Sequence, residues 1–181
     1  MKVLLHLADG FEEIEALSTL DILRRADIDT TTVSIMGRIE VKSSRGVIIQ
    51  ADKVFSDINY QEFDMIILPG GPGTTLLDQH EELKSHLKNY DAEGKWTAAL
   101  CAAPSVLGKL NLLNGKNAVC YPGYENDLLG AKVSLNEKVV VDGNIITSRG
   151  PGTSFDFAFK IVEVLKGSVL VDELKVKMLM S

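Results

Sequence analysis

The run AALCAAPSVLGKL, Ala98–Leu110, places a single thiol where an apolar stretch passes into a helical one. Thr97–Leu100 read as a strand and Ala102 onward as a helix. Pro104 suits the first helical turn because its missing N–H would be unpaired there. Cys101 therefore falls on a strand-to-helix elbow. Serine hydrolases build this geometry with Gly-x-Ser-x-Gly; here alanines flank the nucleophile. A helix N-terminus favours the thiolate, so the expected pKa lies below the free value of about 8.5. A standing thiolate adds to carbonyls without waiting for a base, and it is also open to oxidation.

Other loop features follow predicted strands. In DGFEEIEAL, Glu12 and Glu13 match carboxylates to a helix N-terminus, whereas Glu15 lies one turn in and is placed to point back toward the sheet. In ILPGGPG, Ile67–Gly73, the glycines Gly70 and Gly71 suit a tight turn with uncovered N–H groups. That turn is neither a Walker loop nor a dinucleotide fingerprint. In TSRGPGTSFDFA, Arg149 sits in a glycine-rich turn, where tying down the loop is the first reading and binding an anionic substrate the second. Cys120, in NAVCYPGYEND, reads as packing at the end of a strand. A disulfide between Cys101 and Cys120 stays open, because sequence does not fix the Cα separation that it needs. Two cysteines without nearby histidines do not make a zinc site, so no metal is expected.

These residues have to be positioned by alternating elements. KVLLHLA, TTTVSIM, DMIILPGG, WTAAL and NAVCY read as strands. EEIEALSTLDILRRA, Thr75–Tyr90, APSVLGKLNLL, GTSFDFAFKIVEVLKG and LVDELKVKMLM read as helical. Such alternation implies an α/β fold with a mostly parallel sheet covered on both faces, whose functional residues collect at the carboxyl ends of the strands. Segments at Val41–Ile49 and Val139–Thr147 read as β-hairpins added antiparallel to that core, the second marked by Asp142-Gly143.

Composition narrows the classes. Apolar residues at 45% and charged residues at 24% are an ordinary globular balance, and 181 residues suit one domain. A net charge of -6 with no basic cluster argues against nucleic acid. No apolar segment approaches the roughly 18 residues of a spanning helix, and Asp9 interrupts the first apolar stretch before it resembles an export signal. Two cysteines with no export signal point to thiols in a reducing compartment, so a cytoplasmic protein is expected.

Together, LADGFEEIEAL, DMIILPGGPG, AALCAAPSVL and TSRGPGTSFDFA, in this order and spacing over essentially the whole chain, resemble the ThiJ/PfpI superfamily. Within it they are similar to the Parkinsonism-associated deglycase (DJ-one-like) branch. The resemblance implies a flavodoxin-like three-layer sandwich, as one domain over residues 1–181, usually a homodimer. It implies a reactive cysteine at Cys101 whose sulfur hydrogen-bonds a protonated glutamate at Glu15, with oxyanion-side N–H groups on Gly71 and Ala102. Gly70, Tyr121 and Arg149 are carried as candidate lining. Ser44 and Arg45 fall near the implied dimer interface, with Asp21 as a cross-subunit partner for Arg45.

Two departures narrow what the resemblance implies. Protease-like relatives follow the cysteine with a histidine, where this chain has Ala102. The deglycase branch often has a histidine after the following strand, where this chain has Tyr121. His6, His80 and His86 read as core or surface, so Cys-His catalysis is not expected, and peptidase or amidotransferase activity is set aside. The leading expectation is a cofactor-free enzyme acting on 2-oxoaldehydes such as methylglyoxal, or on glycated protein, through Cys101 with Glu15 as acid and base. The competing expectation is an oxidative-stress sensor or redox-regulated chaperone in which Cys101 becomes a sulfinate without turnover.

Overall fold

A computed structural model describes residues 1–180; Ser181, the last residue of the expected domain, lies outside them. In chain order the elements are β1 (Lys2–Leu7), α1 (Glu13–Arg25), β2 (Asp29–Ser34), β3 (Glu40–Lys42), β4 (Ile48–Gln50), β5 (Lys53–Val54) and β6 (Met65–Leu68). Then follow α2 (Thr74–Gln79), α3 (Glu81–Ala92), β7 (Trp96–Leu100), α4 (Pro104–Lys109), β8 (Asn117–Ala118), β9 (Lys132–Val133), β10 (Val139–Asp142), β11 (Ile145–Ser148), α5 (Ser154–Lys166) and α6 (Ser168–Lys177). Seven strands form one sheet in the order β10-β11-β7-β6-β1-β2-β5, parallel throughout except for β10.

Burial on both faces explains why the central strands are almost continuously apolar. Along β1, Val3, Leu5 and Leu7 enter a core shared with α1, α5 and α6, while Leu4 enters the opposite core, shared with α2, α3 and α4. The result is the three-layer α/β sandwich expected. The chain leaves β1 toward β2 on one side and returns on the other at β6, so a crevice opens beyond the carboxyl ends of β1 and β6, where α/β sheets bind ligands.

The structure corrects several boundaries. The hairpin near Val41–Ile49 is a separate two-stranded sheet of β3 and β4, not an addition to the main one. In the second hairpin β11 is itself a core strand, parallel to β7, and only β10 is the antiparallel addition. NAVCY yields only β8, paired with β9 outside the main sheet, so Cys120 lies in a loop rather than on a strand. The helical stretch Thr75–Tyr90 divides at His80, whose extended backbone ends α2 and begins α3. APSVLGKLNLL stops being helical at Lys109, and Asn111 then adopts a left-handed turn at φ 61°.

Candidate active site

β7 ends at Leu100, and the chain must turn at once toward α4. Cys101 makes that turn with φ 63°, in the left-handed region. Its amide donates to Ser148 O at 3.0 Å and its carbonyl accepts from Tyr121 N at 2.8 Å, so the elbow is fixed from both sides. Pro104 occupies the first turn of α4 as expected. The side chain is buried, with the residue 7% exposed, and the backbone N–H groups of Gly71 and Ala102 donate toward its sulfur.

Glu15 approaches from α1. Glu12 caps that helix by accepting from Glu15 N at 2.8 Å, and the Thr19 hydroxyl donates to Glu15 O at 2.7 Å. The Glu15 side chain turns inward and has no exposed surface. Gly70 N donates to its Oε2 at 2.7 Å, and its buried Oε1 has no hydrogen bond of regular geometry. The neighbour to which Glu15 is coupled, by charge and by a weak sulfur hydrogen bond, is the Cys101 thiol.

Gly70 is where the three parts meet. A Cβ there would stand 2.5 Å from Cys101 Cβ, 2.8 Å from Glu15 Oε2 and 2.9 Å from Leu100 O, so only hydrogen fits. Gly71, at φ 89°, has a second reason to be glycine: a Cβ would sit 2.6 Å from Gly10 O and 2.7 Å from Glu12 N. The loops after β1, β6 and β7 therefore close on one another at the topological switch point.

The electrostatics differ from the sequence expectation. A helix N-terminus alone would lower the Cys101 pKa, yet burial and then the neighbouring Glu15 charge push the thiol up to about 12, against the opposing pull of the Gly71 and Ala102 N–H groups. Burial likewise raises Glu15 to about 7. Cys101 is therefore not an independent thiolate. The two groups titrate as one unit that carries a single negative charge once the first proton is lost.

Other predicted residues fall around this centre. Tyr121 is half exposed, and its ring stands against Gly150. With Arg149, Lys138 and Pro151 it lines a cleft of about 250 Å³ beside the elbow. Cys120 is a buried free thiol raised to about 11 by burial, and Cys101 is likewise free, so the two form no disulfide. Asp21 pairs within its own helix with Arg25 at 2.6 Å. The Arg45 amide donates to Glu13, as do the hydroxyls of Ser43 and Ser44, so Glu13 clasps the β3–β4 turn onto α1. Among the described residues no group of three His, Cys, Asp or Glu side chains is placed to hold a metal, and no helix is long and apolar enough to cross a membrane.

Sequence reasoning missed Glu12 as a cap, the clasp at Glu13 and the close approach at Gly70. The Pro-Gly-Gly after a strand was a usable signal for the last. It also missed that His6, His80 and His86 come together, for which three separate elements gave no local signal.

A family model described as the DJ-1/PfpI family matches residues 1–164. Protein dj-1beta of Drosophila melanogaster is 40% identical over 172 residues, covering 94% of this chain and 92% of that relative. Protein DJ-1 homolog B of Arabidopsis thaliana is 40% identical over 92% of this chain, but the chain spans only 38% of that longer protein. A deglycase of Pyrococcus abyssi is 30% identical over 92% of this chain and 100% of its own length. Among solved structures, Drosophila melanogaster DJ-1beta superposes with a TM-score of 0.94 at 37% identity over 100% of both chains. Toxoplasma gondii DJ-1 in an oxidized form gives 0.94 at 36% identity, over 99% of this chain and 98% of that one.

Proposed function

The chain belongs to the DJ-1/PfpI family, in its DJ-1 branch, and from that premise we propose a cofactor-independent cysteine enzyme acting on 2-oxoaldehydes such as methylglyoxal or on their protein adducts. The observation that carries this reading is the thiol of Cys101 held beside the sealed carboxyl of Glu15. The naming of the Pyrococcus relative as a deglycase supports it.

One proton serves the two groups. If it sits on Glu15, the N–H groups of Gly71 and Ala102 face an anionic sulfur, and Gly70 N still donates to Oε2. If it sits on sulfur, those two N–H groups face a neutral thiol, a weak acceptor. Charge-assisted bonds are roughly twice as strong as neutral ones, which favours the first arrangement.

The sulfur adds to the aldehyde carbon of methylglyoxal, and the carbonyl oxygen takes up the negative charge as a hemithioacetal forms. The Gly71 and Ala102 N–H groups follow that charge from sulfur to oxygen. Glu15 protonates the oxygen, then moves the aldehyde-carbon proton to the adjacent carbon through an enediol, while the hydroxyl proton passes to the neighbouring oxygen. The resulting thioester takes up water, which releases lactate and restores the Cys101–Glu15 pair. The net reaction is methylglyoxal plus water to lactate and one proton.

Lactate formation from methylglyoxal without glutathione tests this for the unaltered protein beside Cys101→Ser and Glu15→Gln. Many lactates per protein, abolished by either substitution, are expected. A yield below about one equivalent, or activity that survives loss of Cys101, overturns turnover at this site. The oxidized Toxoplasma relative favours one competing reading: a redox sensor, with Cys101 taking one oxygen from each of two peroxides to become a sulfinate. Mass spectrometry after peroxide, read against unchanged lactate formation, separates the two. A homodimer working in a reducing compartment such as the cytoplasm completes the proposal, consistent with two free thiols.

A further inference from the structure

The chain's three histidines come from β1, the α2–α3 junction and α3, yet all converge on Phe55 and Tyr60. Those two residues belong to short 3-10 turns at Phe55–Asp57 and Tyr60–Glu62, in the segment that leads to β6. His86 stacks on Tyr60 with ring centroids 3.6 Å apart and planes within 10°. The His80 ring stands 4.2 Å from Phe55, and Phe55 stands 5.2 Å from Tyr60. On the other side of Tyr60, its hydroxyl meets His6 Nε2 at 2.7 Å.

Two of these imidazoles are held in ways that only the neutral ring satisfies. His6 has no exposed surface, and its Nδ1 has no partner. Both nitrogens of the protonated ring are donors, and the Tyr60 hydroxyl oxygen is the one acceptor that meets them. His80 begins α3 by accepting from Leu83 N through its Nδ1 at 3.2 Å. A protonated Nδ1 is a donor, so that cap is lost. His86 is different, because a charge on it would lie favourably over the Tyr60 face; its effect is to repel charge on His80 and His6. The charged or titratable groups around the stack include Glu82 and Tyr90 on α3, the Glu81–Lys84 pair on the turn that follows His80, and Asp64 and Glu93 beyond Tyr90. Glu82 faces His86 and Tyr60, so no carboxylate is placed to neutralise His6.

We infer that His6, Tyr60 and His80 form an acid-sensitive latch. Held neutral, it fastens the segment around Phe55–Phe63 and the first turn of α3 onto the sheet; protonated, it releases them while the Cys101–Glu15 centre stays closed. The latch lies against β1 and α3, on the side of the sheet away from α1, so its release does not pass through the residues assigned to the chemistry.

Amide hydrogen exchange followed by NMR between pH 7.5 and 5 tests this. Protection of the Leu83 amide, corrected for the intrinsic pH dependence of exchange, is expected to fall roughly fivefold, as loss of one N-cap implies. Amides of β6 and β7 should hold theirs. His80→Asp keeps an acceptor that remains ionised over this range, so Leu83 protection should become flat. Tyr60→Phe should expose the turns around Phe55–Phe63 already at neutral pH. Flat protection at Leu83 in the unaltered protein overturns the latch. So does a fall in step with β6 and β7, which would be global unfolding, or an unchanged fall in His80→Asp.

Discussion

Gly70 N donates to Glu15 Oε2 at 2.7 Å across 55 residues of sequence, and the same glycine leaves no room for a methyl group between that carboxyl and Cys101. Gly70→Ala would force Cys101, Glu15 or the β6 loop to move. Overpacking of this kind typically costs about 1–3 kcal/mol. Thermal unfolding and the alkylation rate of Cys101 measure both sides of the effect. The expected outcome is a lower melting temperature together with an altered thiol reactivity; a fully native reactivity would mean that the contact is more compliant than it looks.

Glu15 gives the pair a defined pH signature. In the unfolded chain the Glu15 carboxyl ionises near 4.5, and in the folded protein the Cys101–Glu15 pair gives up its first proton near 7. Between those values the folded state holds the extra proton, so stability falls as pH rises and the whole loss, roughly 3 kcal/mol, is present above the folded pKa. Glu15→Gln removes it. Urea unfolding should therefore show the variant gaining on the unaltered protein from pH 5 to pH 8; a difference that does not change with pH would count against the raised carboxyl.

His6 acts in the opposite sense. Burial, then the nearby His80 and His86, lower it from 6.5 to about 3. The unfolded chain then binds a proton that the folded one refuses, so stability is complete above 6.5 and declines through the interval below it, by up to about tenfold in the folded ratio per pH unit. His6→Phe removes the titration, and its acid unfolding curve should flatten over that interval even if the variant starts less stable.

Exposed apolar residues beside the Glu13 clasp give a surface on which the proposed dimer is tested. Ile14 at the start of α1 and Ile48 on β4 are 52% and 61% exposed, and the clasp at Glu13 brings the β3–β4 turn against α1. Ile48→Asp should shift sedimentation from dimer to monomer without unfolding the chain. A monomeric unaltered protein, or a variant that stays dimeric, would remove this surface from consideration.

How much was legible beforehand follows from which interactions are local. The strands around Leu4, Ile66 and Ala98 announced themselves by continuous apolar runs, and the elbow at Cys101 by a strand, a thiol and a proline in succession. β8 was overread because Val119 and Cys120 are as buried as strand residues although their chain has left the sheet. The split at His80 was missed because the cap comes from an imidazole, which composition does not flag as a helix start. The thiol's electrostatics were misjudged for a similar reason. A helix N-terminus is visible in sequence, whereas burial beside a carboxyl from a distant helix is a tertiary fact.

The left-handed backbone of Cys101 makes the elbow a place where stability is traded for reactivity. Any residue with a side chain there bears about 1–2 kcal/mol of conformational cost that glycine escapes. The ordinary ranking, in which glycine is worse than alanine inside regular structure, should reverse at this one position. Cys101→Gly should be at least as stable as Cys101→Ala, and both should be inactive, so the chain's preference for sulfur over the more comfortable residue is a measure of how much the chemistry demands.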